Sequence, residues 1–193
     1  FVASSLREDE LFTFYRADGV RDTLSTGKAP YPFRFQGIDD TSLKVKKRIF
    51  EYRLKYNGHN DKFVVCYCLN NLFEIYNSDG SLHKRIIAPY PYLVDTNHLS
   101  ADKLGVPIDE LIFTFKDCCL TDDRIFLLYN GSSPTGMIGA QSKIYVFDYE
   151  GNPIKYYLLD RYAHSFCIDK QGGVIYALSD ENDQKQVVRY SML

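Results

Sequence analysis

Short runs rich in β-branched and aromatic residues, broken by polar turns, recur from Leu11 to the end of the chain, and three of them share one pattern. They are Leu11-Phe12-Thr13-Phe14-Tyr15-Arg16-Ala17-Asp18-Gly19, Leu72-Phe73-Glu74-Ile75-Tyr76-Asn77-Ser78-Asp79-Gly80 and Lys143-Ile144-Tyr145-Val146-Phe147-Asp148-Tyr149-Glu150-Gly151. Each carries an aromatic residue four positions before a glycine, at Tyr15, Tyr76 and Phe147, and each continues into a second strand-like run. Asp-Gly or Glu-Gly between two such runs predicts a hairpin, because glycine accepts the positive φ that the turn requires.

A second strand type occurs at Phe63–Leu69, Arg124–Tyr129 and Val174–Leu178, each preceded by a polar turn: Asn57–Asp61, Thr121–Asp123 and Asp169–Gly173. Before those turns lie further strand candidates, Arg48–Tyr56, Leu111–Cys118 and Ser165–Ile168. The predicted unit is a four-stranded meander, and its repetition is the signature of a β-propeller blade. Blade parts fall at 11–24, 48–87, 111–159 and 165–191 within one domain spanning 1–193. The longer repeat intervals call for insertions, at Leu99–Pro107 and at the glycine-rich Asn130–Gly139. The expected fold is therefore all-β, an antiparallel propeller with about three and a half blades present. A closed ring needs roughly four to eight blades. The chain is then expected to be part of a longer propeller or, if complete, to close its ring as a homodimer.

Composition agrees with this reading: 16 Tyr and 13 Phe but no Trp, with an ordinary hydrophobic fraction of 45%. The net charge of −2 is spread along the chain, which leaves no basic footprint for nucleic acid. The basic cluster Lys44, Lys46, Lys47 and Arg48 interleaves with Val45 and Ile49 and is read as the solvated side of a strand. There is no apolar run of about 18 residues and no signal-peptide pattern, so the chain as given is expected to be soluble. The cysteines, Cys66, Cys68, Cys118, Cys119 and Cys167, lack zinc-site spacing and read as small buried hydrophobes.

The stretch Ile144–Lys155, followed by Ser165–Asp169 and Val174–Leu178, resembles the TolB-like six-bladed propeller family of Bacteroidetes. The resemblance extends from Leu11 onward and rests on blade-building residues, so it speaks to fold before function. It implies a six-bladed ring, export or lipid anchoring at the cell envelope, and mostly unassigned activity. This chain has about half the length implied, so the N-terminal blades and any export signal would lie outside it.

Catalytic motifs are missing from the sequence: there is no Gly-x-Ser-x-Gly elbow, no phosphate-binding loop and no clustered metal-ligand histidines. No cofactor or metal is expected. The repeated connection Ala29-Pro30-Tyr31-Pro32-Phe33 and Ala88-Pro89-Tyr90-Pro91-Tyr92 is more informative, with Arg161-Tyr162-Ala163-His164 in the corresponding place after the third hairpin. Prolines hold such links extended. Links from the outer strand of one blade to the inner strand of the next cross one face of a propeller. Tyr31, Tyr90, Tyr92, Arg161, Tyr162 and His164 are accordingly the candidate ligand-binding residues, suited to a glycan, a peptide or a protein. The leading expectation is a non-enzymatic binding module. The alternative, an envelope hydrolase or lyase acting on sugars or lactones, would need carboxylates such as Asp39-Asp40, Asp122-Asp123 and Asp180-Glu181 to converge.

Overall fold

The computed structural model describes residues 2–4, 10–17, 23–32, 43–88, 111–133, 136, 140–169, 173–181 and 184–192. Within them the chain forms four antiparallel sheets, each following chain order. The first holds β1 (Val2–Ser4), β2 (Glu10–Ala17) and β3 (Thr23–Pro30), and a helix α1 (Leu43–Ile49) leads to the second. The second holds β4 (Tyr52–Asn57), β5 (Lys62–Tyr67), β6 (Leu72–Asn77) and β7 (Leu82–Ile87). The third holds β8 (Phe113–Leu120), β9 (Ile125–Ser132), β10 (Lys143–Phe147) and β11 (Pro153–Leu158), and the fourth holds β12 (Ser165–Asp169), β13 (Val174–Glu181) and β14 (Gln184–Ser191). This is a partial β-propeller of meander blades.

The blades are held face to face by strands that are apolar on both sides. Along β5, Phe63, Val65 and Tyr67 join a core with Leu11, Phe12 and Phe14 of the first sheet, while Val64 and Cys66 join Phe115, Cys118, Ile125 and Leu127 of the third. The same alternation recurs one blade later. Ile125 and Leu127 of β9 face the second sheet, whereas Phe126 and Leu128 pack with Phe166, Ile175 and Ala177 of the fourth. Aromatic edges lock these interfaces: Phe12 meets Tyr76 at 5.5 Å, Phe14 meets Phe63 at 5.1 Å and Phe73 meets Phe147 at 4.7 Å between ring centroids. The last strand of each complete sheet is wetter, with Leu82, Ile87, Ile154, Tyr156 and Leu158 exposed.

Two of the three hairpin glycines behave as the sequence predicts, Gly80 at φ +88° and Gly151 at φ +79°, while Gly19 lies outside the described residues. The strand expected at Arg48–Tyr56 is a correction. Its first two residues belong to α1 and its strand part is β4, so Lys44, Lys46, Lys47 and Arg48 lie on a helix and Lys46 is buried. Val45 and Ile49, four apart, share a face in either conformation, so the apolar spacing alone does not separate the two periods. Three features favour the helix here: Val45, Ile49 and Phe50 enter the first core, the last turn is basic, and Asn70 Nδ2 donates to the Ile49 carbonyl at 2.8 Å. β1 is an addition, since three residues are too few to show a period. β9 also runs to Ser132, into the stretch read as an insertion.

A charged group lies wholly inside this packing. Glu74 on β6 is fully buried, accepts hydrogen bonds from Tyr67 Oη at 2.6 Å and Tyr76 Oη at 2.8 Å, and pairs with Arg85 at 2.6 Å. Burial, the first cause, and the adjacent carboxylate push both phenols well above their ordinary pKa. Glu74→Leu leaves Arg85 and two buried phenols without their acceptor. It is expected to lower unfolding stability by about 3–5 kcal/mol, read by urea denaturation. Gly27→Ala gives a second check. A Cβ there would lie 2.5 Å from the Asp79 carbonyl oxygen and 2.8 Å from Gly80 Cα, both backbone. The first sheet must then move away from the second, at an expected cost of roughly 1–3 kcal/mol in the same assay.

Candidate functional site

A meander sends its links to two opposite ends. In the second and third sheets, the first and third turns (Gly58–Asp61 and Ser78–Ser81 in the second) share one end. The middle turn and the connection to the next sheet share the other, which we call the connection face. Asn70 and Asn71, the link after β3 with Tyr31 and α1, and the link Leu159–His164 lie at that face.

The Leu159–His164 link is pinned from beneath by buried polar groups. Ser142 Oγ donates to Asn130 Oδ1 at 2.6 Å and accepts from Ala163 N at 2.8 Å. Asn130 Nδ2 donates to the Ala163 carbonyl at 3.2 Å. Two backbone bonds, Leu159 N to Ser142 O at 2.9 Å and Ser142 N to Arg161 O at 3.1 Å, add to the clamp. Ala163 and Leu159 are thereby buried in the core between the third and fourth sheets. The side chains on either side of Ala163 are turned toward the surface or half-buried.

Those side chains form two polar groups. In one, His164 Nε2 lies 2.7 Å from Asp180 Oδ2 of β13, and the imidazole meets the Tyr162 ring edge-on at 5.0 Å. The Tyr162 hydroxyl is turned inward, beside the Asn130 side chain, and burial raises its pKa. Ser179 Oγ donates to the Tyr162 carbonyl, fixing the same residue from β13. In the other, Arg161 pairs with Asp160 at 3.1 Å, and Tyr190 Oη of β14 donates to the same carboxylate. Asp160 is held below the usual carboxylate range by hydrogen bonds from Arg161, the largest cause, and from Tyr190. Tyr190 is pushed up to about 12, first by burial and then by Asp160.

Of the sequence candidates, the structure brings Tyr162 and His164 into contact and places Arg161 on the same link, in the group with Asp160 and Tyr190. Tyr31 is half-buried, with its ring 5.0 Å from Phe50, and packs against the core of the first and second sheets. It contributes to that interface and is placed apart from the core under Ala163. Tyr90 and Tyr92 lie outside the described residues. Asn130 and Ser142 carry no site signal in the sequence, and Asp180 enters only among the carboxylates of the hydrolase alternative. Two of them sit in or beside the glycine-rich stretch read as an insertion, and Asp180 reads as one acid of a hairpin tip. At the opposite face, a cleft of about 300 Å³ is lined by Thr121, Asp122, Asp123, Arg124, Phe126, Ile168 and Met192. No cluster of metal-binding side chains occurs among the described residues.

The four meander sheets define a partial β-propeller. A family model described as TolB-like 6-blade propeller-like matches residues 1–171, and the chain belongs to that family. No curated protein matches it. Among solved structures, a member of the DUF4221 family from Bacteroides vulgatus is similar at 7% identity with a TM-score of 0.49, over 74% of this chain and 46% of that one. The C-terminal WD40 domain of Sif2 is similar at 11% identity with a TM-score of 0.34, over 92% of this chain and 53% of that one. The chain thus spans about half the length of each of these two structures.

Ser142→Ala removes a donor to Asn130 and an acceptor for Ala163 in a buried setting. It is expected to cost about 1–3 kcal/mol and to speed amide exchange at Ala163, measured by hydrogen exchange with mass spectrometry. The acid limb of stability has a definite sign. The folded pKa of Asp160 is depressed, so its contribution is fully present above about pH 4 and is lost as pH falls through the lowered value. Asp160→Asn should flatten that limb of a melting-temperature profile between neutral and acidic pH.

Proposed function

We propose that the chain is a non-enzymatic binding module whose connection face takes a protein, peptide or glycan. The observation that carries this reading is the polar backing of a partly exposed segment: Arg161, Tyr162 and His164 flank an alanine clamped by Ser142 and Asn130. A guanidinium, an aromatic edge and an imidazole–carboxylate pair offer flat apolar area beside donors and acceptors of both signs, which suits mixed polar ligands. Propeller folds serve generally as binding scaffolds, and family membership supports that coarser statement.

The hydrolase reading draws less support. Asp122 and Asp123 belong to the turn after β8, at the end opposite the connection face, while Asp180 lies at that face beside His164. These described carboxylates are not gathered around one bond. No helix among the described residues is long and apolar enough to cross a membrane. We place the protein at the cell envelope on the strength of the family resemblance, with the ring completed by further blades or by a second copy.

The test is a screen of the full chain against a peptide library and a glycan array, followed by titration of any hit with His164→Ala and Arg161→Ala. At least tenfold weaker binding with melting temperature nearly unchanged is expected, since exposed ion pairs contribute about 0–1 kcal/mol to stability. Hits that bind both variants as tightly as the native chain would overturn the assignment of this face.

A further inference from the structure

A row of aromatic rings crosses the third sheet from its first strand to its open edge. Phe115 of β8, Tyr129 of β9, Tyr145 of β10 and Tyr156 of β11 follow one another with ring centroids 5.7, 5.6 and 6.1 Å apart. The row lies on the face turned to the second sheet, where Phe115, Tyr129 and Tyr145 adjoin the core between the two blades. Tyr156 is the register partner of Tyr145, and the next residue, Tyr157, turns to the core on the opposite side. From one end to the other the row passes from dry to wet: Phe115 is buried, Tyr129 and Tyr145 are half-buried, and Tyr156 is 61% exposed. Leu158, two residues further along the same face, is 54% exposed. Packing between blades accounts for the inner rings but not for Tyr156. The hydroxyls differ in the same way. Tyr67 and Tyr76 bond to Glu74 and Tyr190 to Asp160, whereas those of Tyr129, Tyr145 and Tyr156 make no hydrogen bond to another described residue. Lys143 stands beside the row, in register with Tyr129 on one side and Leu158 on the other, and forms no ion pair with a described residue.

We propose that this row is a saccharide-binding strip, which takes a chain of acidic sugars across the outer half of the third sheet. A sugar ring presents C–H groups on its flat side and hydroxyls around its rim, so it calls for flat apolar area with donors and acceptors at the edge. Tyr145 and Tyr156 supply both from one side chain each, and neighbouring rings let successive sugars engage successive tyrosines. Rigid aromatic side chains also lose little conformational freedom on binding. The Lys143 ammonium gives a sugar carboxylate its partner. An added peptide strand would instead use the free backbone edge of β11. That edge carries Pro153, which has no N–H, a register shift beside it and the charge of Lys155, all features that guard an edge against pairing. The strip is separate from the connection link: it lies on the second-sheet side of the third sheet, whereas Tyr162 and His164 sit against β13 of the fourth.

The test titrates the full chain by calorimetry with a linear galacturonic acid hexasaccharide, a neutral glucose hexasaccharide and a hexaglutamate peptide. The acidic sugar is expected to bind, the neutral sugar to bind more weakly and the peptide not to bind. Tyr156→Ala should weaken binding of the acidic sugar roughly tenfold. Lys143→Gln should reduce its affinity to that of the neutral sugar and flatten its dependence on salt. Val187→Ala, an exposed apolar change on β14, should leave binding as it is. Melting temperatures near that of the native chain confirm that the variants fold. Failure of the acidic sugar to bind, equal binding of the neutral sugar or the peptide, or a preference that survives Lys143→Gln would overturn the proposal. So would binding that Tyr156→Ala leaves intact and Arg161→Ala abolishes, which would place the sugar at the connection face instead.

Discussion

The structure depends on one constraint, that the second strand of each blade must be apolar on both of its faces. β5 and β9 meet it in the same way: odd positions fill one inter-blade core and even positions fill the next. A strand of strict apolar-polar alternation would cover one neighbour and present water-loving groups to the other, and the arc would stop there. Each fully buried aliphatic or aromatic side chain contributes roughly 1.5–3 kcal/mol when removed from water. The blades are therefore held by many such increments, shared between successive interfaces. The outer strands β7 and β11 lie at the margin of these cores: Ile86 and Tyr157 pack against them, while Leu82, Ile87, Ile154, Tyr156 and Leu158 remain exposed.

Polar side chains inside this apolar stack sit where the strand ladder leaves groups to satisfy or where a connection must be held. Thr114 Oγ1 donates to the Asn70 carbonyl at 2.9 Å and lies within 3.2 Å of the Tyr67 and Cys68 carbonyls, tying the start of β8 to the middle turn of the preceding blade. Asn57 Nδ2 does similar work at the other face, donating to the Thr121 carbonyl at 2.8 Å and to Tyr149 Oη at 2.6 Å. Ser142 and Asn130 hold the connection beneath Ala163. An unpaired buried polar atom is costly, so each network fixes one geometry of its turn or link. Glu74 extends the principle to a charge, tolerable inside because Arg85 and two phenols surround it.

The repeat was legible in the sequence because it is written in strand-length apolar runs and hairpin glycines, and the observed positive φ of Gly80 and Gly151 is the physical basis of that signal. The helix α1 was not legible, since Val45 and Ile49 satisfy both periods and the deciding contacts come from Phe50 and Asn70. Of the candidate site, the link Arg161–His164 could be located from its position between hairpins. Its supports could not: the pairing of Ser142 with Asn130, and of His164 with Asp180, joins residues on different strands. Tyr31 carries the same motif signal as an exposed contact, yet its ring lies against Phe50. A tyrosine in a proline-held link can turn either way, and the neighbouring blade decides.

This division of labour bears on how such a module can carry function. The residues that stabilise the arc lie between blades, while the side chains offered at the connection face are held by backbone bonds to Ser142 and Asn130 and contribute little themselves to folding. Recognition can then depend on Arg161, Tyr162 and His164 without drawing on the cores. Preorganisation has a further effect: a link already clamped in place loses less conformational entropy on binding than a free loop would. Under the proposed function, the polar clamp beneath Ala163 would connect blade packing to ligand affinity.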